Sequence, residues 1–452
     1  MTKNNKIYIN FDEEKGRVKA LNGVCCAPYG IGMGKNQVHI ESYFREGNIP
    51  YCRLHDCCGG YGGTYFVDIT NVFPDFDADE NNAESYDFHY TDEYIAAIQK
   101  TGCETYYRLG ETIEWGSKKY RTLVPESFEK WARICEHIIM HYNEGWADGF
   151  EYNIKYWEIW NEPENPGSET GLCMWSGSKE EFFDLYRISS IYLKKRFPGI
   201  KIGGYGGCGF YAVTRENMPQ THKDFVTYFT DFLKMAKENE CPIDFYSWHI
   251  YSDDINEVLE HGRFVRETLD KYGFKDTESH LNEWNFGAEG KSFDSKHTCE
   301  GMAFNAAVLC ALANTDYVDK AMYYCFSLNA MYNGFMNQNT RETDVPWYSF
   351  VAYGQLYKMG TAIKSECYED GFYTFAAKDK VNGRYVILAV NYKSDEDKFE
   401  FDISGCAAEK SVNVKYINEN HNLDSVVEFT PTEDMRICLN IEKQTAVLIT
   451  IE

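Results

Sequence analysis

Short apolar runs alternate with amphipathic helical stretches from about residue 20 to residue 360, and few folds accommodate that rhythm. Strand-like runs fall at 23–27, 49–54, 104–109, 155–160, 201–205, 245–250, 280–284 and 320–326. Each is short and ends near turn-forming residues, as a buried strand does. The clearest helix between them is 126–141, with Phe128, Trp131, Ile134, Ile138 and Ile139 at helical spacing. Stretches 180–197, 223–236, 256–272 and 303–313 follow the same logic. Eight β-then-α units predict an α/β fold, a (β/α)8 TIM barrel over residues 15–360.

After about residue 365 the rhythm changes. Runs 371–377, 384–392, 398–403, 411–417 and 446–452 alternate apolar and polar residues with no helix between them. They predict a smaller C-terminal β-sandwich, with 6–11 adding a strand, so that residues 1–14 and 361–452 form one accessory domain. Such a domain either buttresses the barrel or binds carbohydrate.

The net charge of −25 excludes nucleic acid and anionic membrane as partners. No apolar leader opens the chain and no run of about 18 apolar residues occurs, so a location in the cytoplasm with no membrane span is expected. The 16 cysteines then stay reduced. Cys52, His55, Cys57 and Cys58 cluster, but without the paired spacing of a zinc site. No metal and no cofactor are expected. A homo-oligomer is compatible with the sequence. Aromatic residues make up 16% of the chain, which serves either a core or a surface that stacks on sugars.

Within this frame, the segment 156–163, YWEIWNEP, places Glu162 after the fourth strand, next to Asn161. Segment 279–287, SHLNEWNFG, places Glu283 at the end of the seventh. A single strand-end glutamate is usually a solvated loop acid. Two of them, each near Asn and Trp and both at the carboxyl ends of barrel strands, point to a retaining glycosidase with one proton donor and one nucleophile. The charge of one is expected to raise the pKa of the other.

Other strand ends supply supporting groups. Arg53 and His55 end the second strand, and His249 and Tyr251 end the sixth. Arg53 either binds the nucleophile or forms a structural ion pair. Asn161 can hold a sugar hydroxyl. Glu111 and Trp115 after the third strand, Trp284 and Asn285 after Glu283, and Met331 and Tyr332 after the eighth are candidates to line the pocket. The long loop 56–90, with its GGYGG run, is expected to overhang the mouth and favour terminal sugars over internal cuts.

The motifs RLHD at 53–56, YDFHYTDEYIAAIQKTGCETYYRLGE at 86–111, WEIWNEP at 157–163, DFYSWHIY at 244–251 and NEWN at 282–285 resemble glycoside hydrolase family 39. That family belongs to the clan A barrels and includes β-xylosidases. The resemblance implies that Glu162 is the acid/base and Glu283 the nucleophile. It puts Asn161, His55, His249 and Tyr251 at positions that contact substrate or nucleophile. The implied substrate is a glycoside or plant-derived oligosaccharide, with a β-xyloside first and an arabinoside, galactoside or glucoside as alternatives. A sugar-binding protein without catalysis is the reading from another class. The GGYGG loop, the vicinal Cys57–Cys58 pair and NEWN depart from the family pattern.

Overall fold

The computed structural model describes residues 5–28, 40–57, 65–114, 116, 118–166, 173–287, 293–328, 330–406, 410–429 and 435–452. A leading strand, β1 (Lys6–Arg17), is followed by eight parallel strands that close a barrel in chain order. These are β2 (Ala20–Cys25), β3 (Tyr51–Leu54), β4 (Glu104–Leu109), β5 (Tyr156–Ile159), β6 (Lys201–Gly207), β7 (Phe245–Ser252), β8 (Glu278–Phe286) and β9 (Lys320–Tyr323). The expected (β/α)8 barrel is therefore the observed one.

Helices cover the barrel, and their ends are written in the sequence. The helix Phe128–Asn143 starts where the Ser127 side chain accepts from the Lys130 amide, and it buries Trp131, Ile134, Ile138 and Ile139. Ser178 and Glu181 form a reciprocal capping box at the start of Lys179–Arg196. The helix Ile255–Tyr272 stops at Gly273, whose φ of 96° favours glycine. No described helix is long and apolar enough to cross a membrane.

The later strands are β10 (Thr361–Cys367), β11 (Phe372–Asp379), β12 (Arg384–Asn391), β13 (Lys398–Ser404), β14 (Val412–Asn418), β15 (His421–Phe429), β16 (Arg436–Asn440) and β17 (Thr445–Ile451). With β1 they form one sheet in the order β15-β14-β17-β12-β11-β10-β1-β13-β16. Every pairing is antiparallel except β1 with β13. Register shifts between Ile9 and Glu14 break the regular pairing of β1 with β10. Ile9 and Phe401, on neighbouring β1 and β13, share one core with Val414 and Ile449 on β14 and β17 at the other end of the order, so the sheet folds over itself as a sandwich does. Strands β10, β15 and β16 are absent from the runs read in the sequence. β15 and β16 are the edges of the sheet, where one side needs no apolar residues.

The opposite face of this sheet lies on the barrel. Along β12, Val386, Leu388 and Val390 join the barrel's core, while Ile387 and Ala389 point into the sandwich. Both faces are buried, which accounts for the unbroken apolar run. The helix Cys299–Ala313 lies beneath this sheet and buries residues all round its circumference. The sequence suggests an amphipathic helix there; burial between barrel and sheet removes the need for a polar face. Cutting Leu388 to Ala in this seam should lower unfolding stability by about 2–5 kcal/mol in denaturant titration. Val381→Ala, on a side chain 91% exposed, should leave it unchanged.

Candidate active site

The barrel interior is built in layers. At its floor Tyr106 stacks on Tyr156 with centroids 5.5 Å apart, and Phe245 stacks on His280 at 4.8 Å. The barrel is thus filled and not a pore. Two residues further along their strands, Glu158 and Ser247 take the next inward positions, because strand side chains alternate. Arg53 and Asn282 complete that layer.

Arg53 is fully buried and uses three guanidinium nitrogens. Nε donates to Glu158 at 2.8 Å, Nη1 to Glu283 at 3.1 Å and Nη2 to Asn161 at 2.7 Å. Burial alone would lower its pKa, but Glu158 and Glu283 hold it well above the ordinary value. Glu158 is fully buried as well and also accepts from Ser247 Oγ and Asn282 Nδ2, both at 2.6 Å. A carboxylate with such donors pays for its burial through them.

Above this layer lie the two strand-end glutamates. In β8 the pairing with β7 shifts register between Leu281 and Glu283. This irregularity turns both Asn282 and Glu283 inward, against strict alternation. Glu283 also accepts from the Tyr251 hydroxyl at 2.5 Å. Glu162 has left its strand at a φ of 45°, and its amide donates to the carbonyls of Tyr205 and Gly206. Its carboxylate accepts from His249 Nδ1 at 2.7 Å and from Asn165 at 3.3 Å. Gly206 is required here: at its φ of 61° an added Cβ would lie 3.1 Å from both Arg53 Nη2 and Asn161 Oδ1.

One ligand atom each of Glu162, His249 and Glu283 lie within 4.8 Å of one another. By distance alone the trio could hold a divalent cation. The Arg53 guanidinium already binds the Glu283 oxygen nearest His249, and its charge opposes a cation at that point. Burial pushes the Glu162 carboxyl up, but the hydrogen bond and charge of His249 outweigh it, and the pKa ends below the ordinary value. The sequence-based expectation of a raised value from glutamate repulsion is corrected by this neighbour.

Both carboxylates face a cavity of about 360 Å³ lined also by Asp56, Tyr65, Tyr251, Tyr324 and Tyr332. Burial lifts Asp56 to about 6, against hydrogen bonds from Tyr324 and the Ile113 amide. The two carboxylates thus approach each other on the wall of one cavity.

Of the residues singled out in the sequence, Arg53, Asn161, Glu162, His249, Tyr251 and Glu283 come together. His55 is buried just past the end of β3 without a hydrogen-bond partner on either ring nitrogen, its Nε2 being 3.4 Å from Asp56 Oδ1. Trp284 and Glu111 are corrections. The Trp284 ring points out of the barrel against Tyr323, Phe304 and Phe350, because Glu283 before it points in. Glu111 accepts from the Thr70 amide and hydroxyl and so pins the short helix Ile69–Val72. Asn285 bonds Tyr323 Oη and the Tyr324 and Tyr332 carbonyls, holding the cavity wall from behind. Trp115 and the run 58–64 lie outside the described residues, whereas Tyr65 in the same loop lines the cavity. Sequence reasoning missed Glu158 and Asp56. Glu158 is two positions from inward-facing Tyr156, a charge within a buried strand, and Asp56 ends the quoted RLHD motif.

Residues 42–384 match the model of glycosyl hydrolases family 39, and the chain belongs to that family. A β-xylosidase of Geobacillus stearothermophilus is 22% identical over 66% of this chain and 58% of its own length. One from Caldicellulosiruptor saccharolyticus is 25% identical over 55% of this chain and 47% of its own. The chain thus spans about half the length of these curated relatives. Among solved structures, a glucosidase from Croceicoccus marinus superposes with a TM-score of 0.79 at 20% identity, covering 99% of this chain and 98% of that one. A monomeric β-xylosidase from Caulobacter crescentus gives 0.71 at 15% identity, covering 99% of each chain. These likenesses establish the fold.

Removing Arg53 strands two buried carboxylates. Arg53→Met should therefore cost about 3–5 kcal/mol of unfolding stability. Arg53→Lys should recover little of it, since one ammonium cannot reproduce the three-way fork. A second outcome concerns Glu164, whose pKa is pushed up to about 8 by burial and by Glu162. A raised folded-state value means that the proton is held by the native form, so stability falls as pH rises from the ordinary carboxylate range through about 8. Glu164→Gln should flatten that decline in melts recorded from pH 4 to pH 9, with the two proteins alike at the acid end.

Proposed function

We propose that this member of glycosyl hydrolase family 39 removes a terminal sugar, xylose first among the candidates, by double displacement with retention of configuration. The observation that carries the reading is the approach of Glu162 and Glu283 across one cavity. Retaining enzymes place their two carboxyl groups about 5–5.5 Å apart, too close to admit a separately bound attacking water.

Glu283 is the nucleophile in this reading. Arg53 and Tyr251 donate to it and fix both oxygens, so that it meets the anomeric carbon in one orientation. Glu162 gives a proton to the leaving oxygen. His249, hydrogen-bonded to this carboxyl, lowers its pKa and fixes its orientation. The C1–O bond to the leaving group breaks as the ester to Glu283 forms. Water then enters, Glu162 takes its proton, and attack at C1 frees Glu283. Asn161, oriented by Arg53, is the group nearest in kind to a sugar-hydroxyl contact. The two β-xylosidase relatives support the choice of sugar. Residues 15–360 are the catalytic unit, residues 1–14 with 361–452 brace it, and the free thiols of the described cysteines suit a reducing cytoplasm.

A panel of nitrophenyl glycosides should show turnover on the β-xyloside. Activity confined to an arabinoside, galactoside or glucoside would change the sugar but not the chemistry, and inertness throughout would favour a binding protein. Glu162→Ala should slow disaccharide cleavage by about 10²–10⁴-fold and aryl glycosides with good leaving groups far less. Azide should restore its rate. A 2-fluoro-glycoside should label the peptide that contains Glu283; label on any other carboxylate would remove the assignment.

A further inference from the structure

Glu162 borders two cavities, not one. The second, of about 310 Å³, lies on its far side and is walled by Tyr211, Thr221, His222 and Phe225. Glu162, Asn165 and Tyr251 border both cavities, whereas of these two Glu283 borders the first and not the second. This asymmetry has a chemical meaning if the glutamates act as proposed. The anomeric carbon must lie against Glu283, so the sugar that is transferred occupies the first cavity. The leaving oxygen must lie against Glu162. Whatever is attached beyond that oxygen then projects past Glu162, toward the second cavity.

The walls of this second cavity suit a sugar ring. His222 packs edge to face against Tyr211 and Phe225, with ring centroids 5.5 and 5.4 Å apart. Aromatic faces take the C–H side of a saturated ring. His222 Nδ1 is buried and has no hydrogen-bond partner, and a polar atom in that state is a ready contact for a hydroxyl. Burial and the nearby Arg215 lower the His222 pKa, which favours the neutral ring, and a neutral ring can accept as well as donate. Tyr211 is held in place independently of any ligand. Its hydroxyl donates to the Tyr251 carbonyl at 3.1 Å and accepts from the Tyr251 amide at 2.8 Å, and the Arg215 guanidinium lies over its ring. Gly209 makes room for that ring, since a Cβ there would come within 2.7 Å of it.

We infer that the cavity walled by Tyr211, Thr221, His222 and Phe225 is the leaving-group site, and that it selects a second sugar ring. The inference rests on the hydrolase reading above. His222 and Phe225 are then specificity determinants that touch the leaving sugar without touching the transferred one. Tyr211 is a poor probe, because it also anchors Tyr251 beside Glu283.

The test compares two substrates of whichever sugar the glycoside panel identifies: the glycosyl fluoride and the disaccharide. Fluoride leaves the second cavity empty; the disaccharide fills it. His222→Ala and Phe225→Leu should each lower kcat/KM on the disaccharide by about tenfold or more, the loss of one good contact. On the fluoride both variants should stay within about twofold of the parent, which also shows that they fold. Equal losses on both substrates, or no loss on either, would overturn the leaving-group assignment while leaving the hydrolase reading in place. A parent enzyme inert on every fluoride and every disaccharide would overturn the hydrolase reading, and this inference with it.

Discussion

A single buried guanidinium organises this site. Arg53, itself in β3, ties together groups from two further strands: Glu158 in β5, Asn161 just beyond it, and Glu283 in β8. None of these could be buried at low cost without a donor. Arginine suits the position because it stays charged and its nitrogens lie in a fixed plane. One of its carboxylate partners, Glu158, is enclosed and only structural. The other, Glu283, opens onto the cavity. The same cation therefore stabilises the floor and orients the group above it. Everything at the mouth is positioned relative to that fork.

The two carboxylates that border the cavity are then differentiated by their neighbours. Glu283 has Arg53 and Tyr251 on it and is locked. Glu162 has His249 at 2.7 Å and a longer contact from Asn165 at 3.3 Å. In the proposed mechanism the fixed donors hold Glu283 in one orientation. This division arises from packing. His249 and Tyr251 are two residues apart on β7, so both side chains point inward, and each reaches a different glutamate.

Much of this is legible in the sequence. Eight short apolar runs bounded by turn residues can hardly be anything but barrel strands, and the carboxyl ends of the fourth and seventh hold the two glutamates. What escapes is set by contacts distant along the chain or by local irregularity. The sequence NEWN does not reveal the irregularity that turns Asn282 and Glu283 inward together, so Trp284 reads as a cavity residue when it is core. Glu111 looks free until Thr70, 41 positions away, is brought against it. Glu158 reads as an interruption of an apolar strand, and only its partner in β3 explains it. Edge strands β15 and β16 carry mixed polar residues that periodicity alone does not separate from loop.

The central claim is that two glutamates face one carbon from opposite sides, with no room for a separate attacking water between them. Proton NMR of the first sugar released, recorded before mutarotation, tests this directly. The account predicts that the anomer formed first has the configuration of the substrate. An initial product of inverted configuration would contradict it, because it would require water, and not Glu283, to make the first attack.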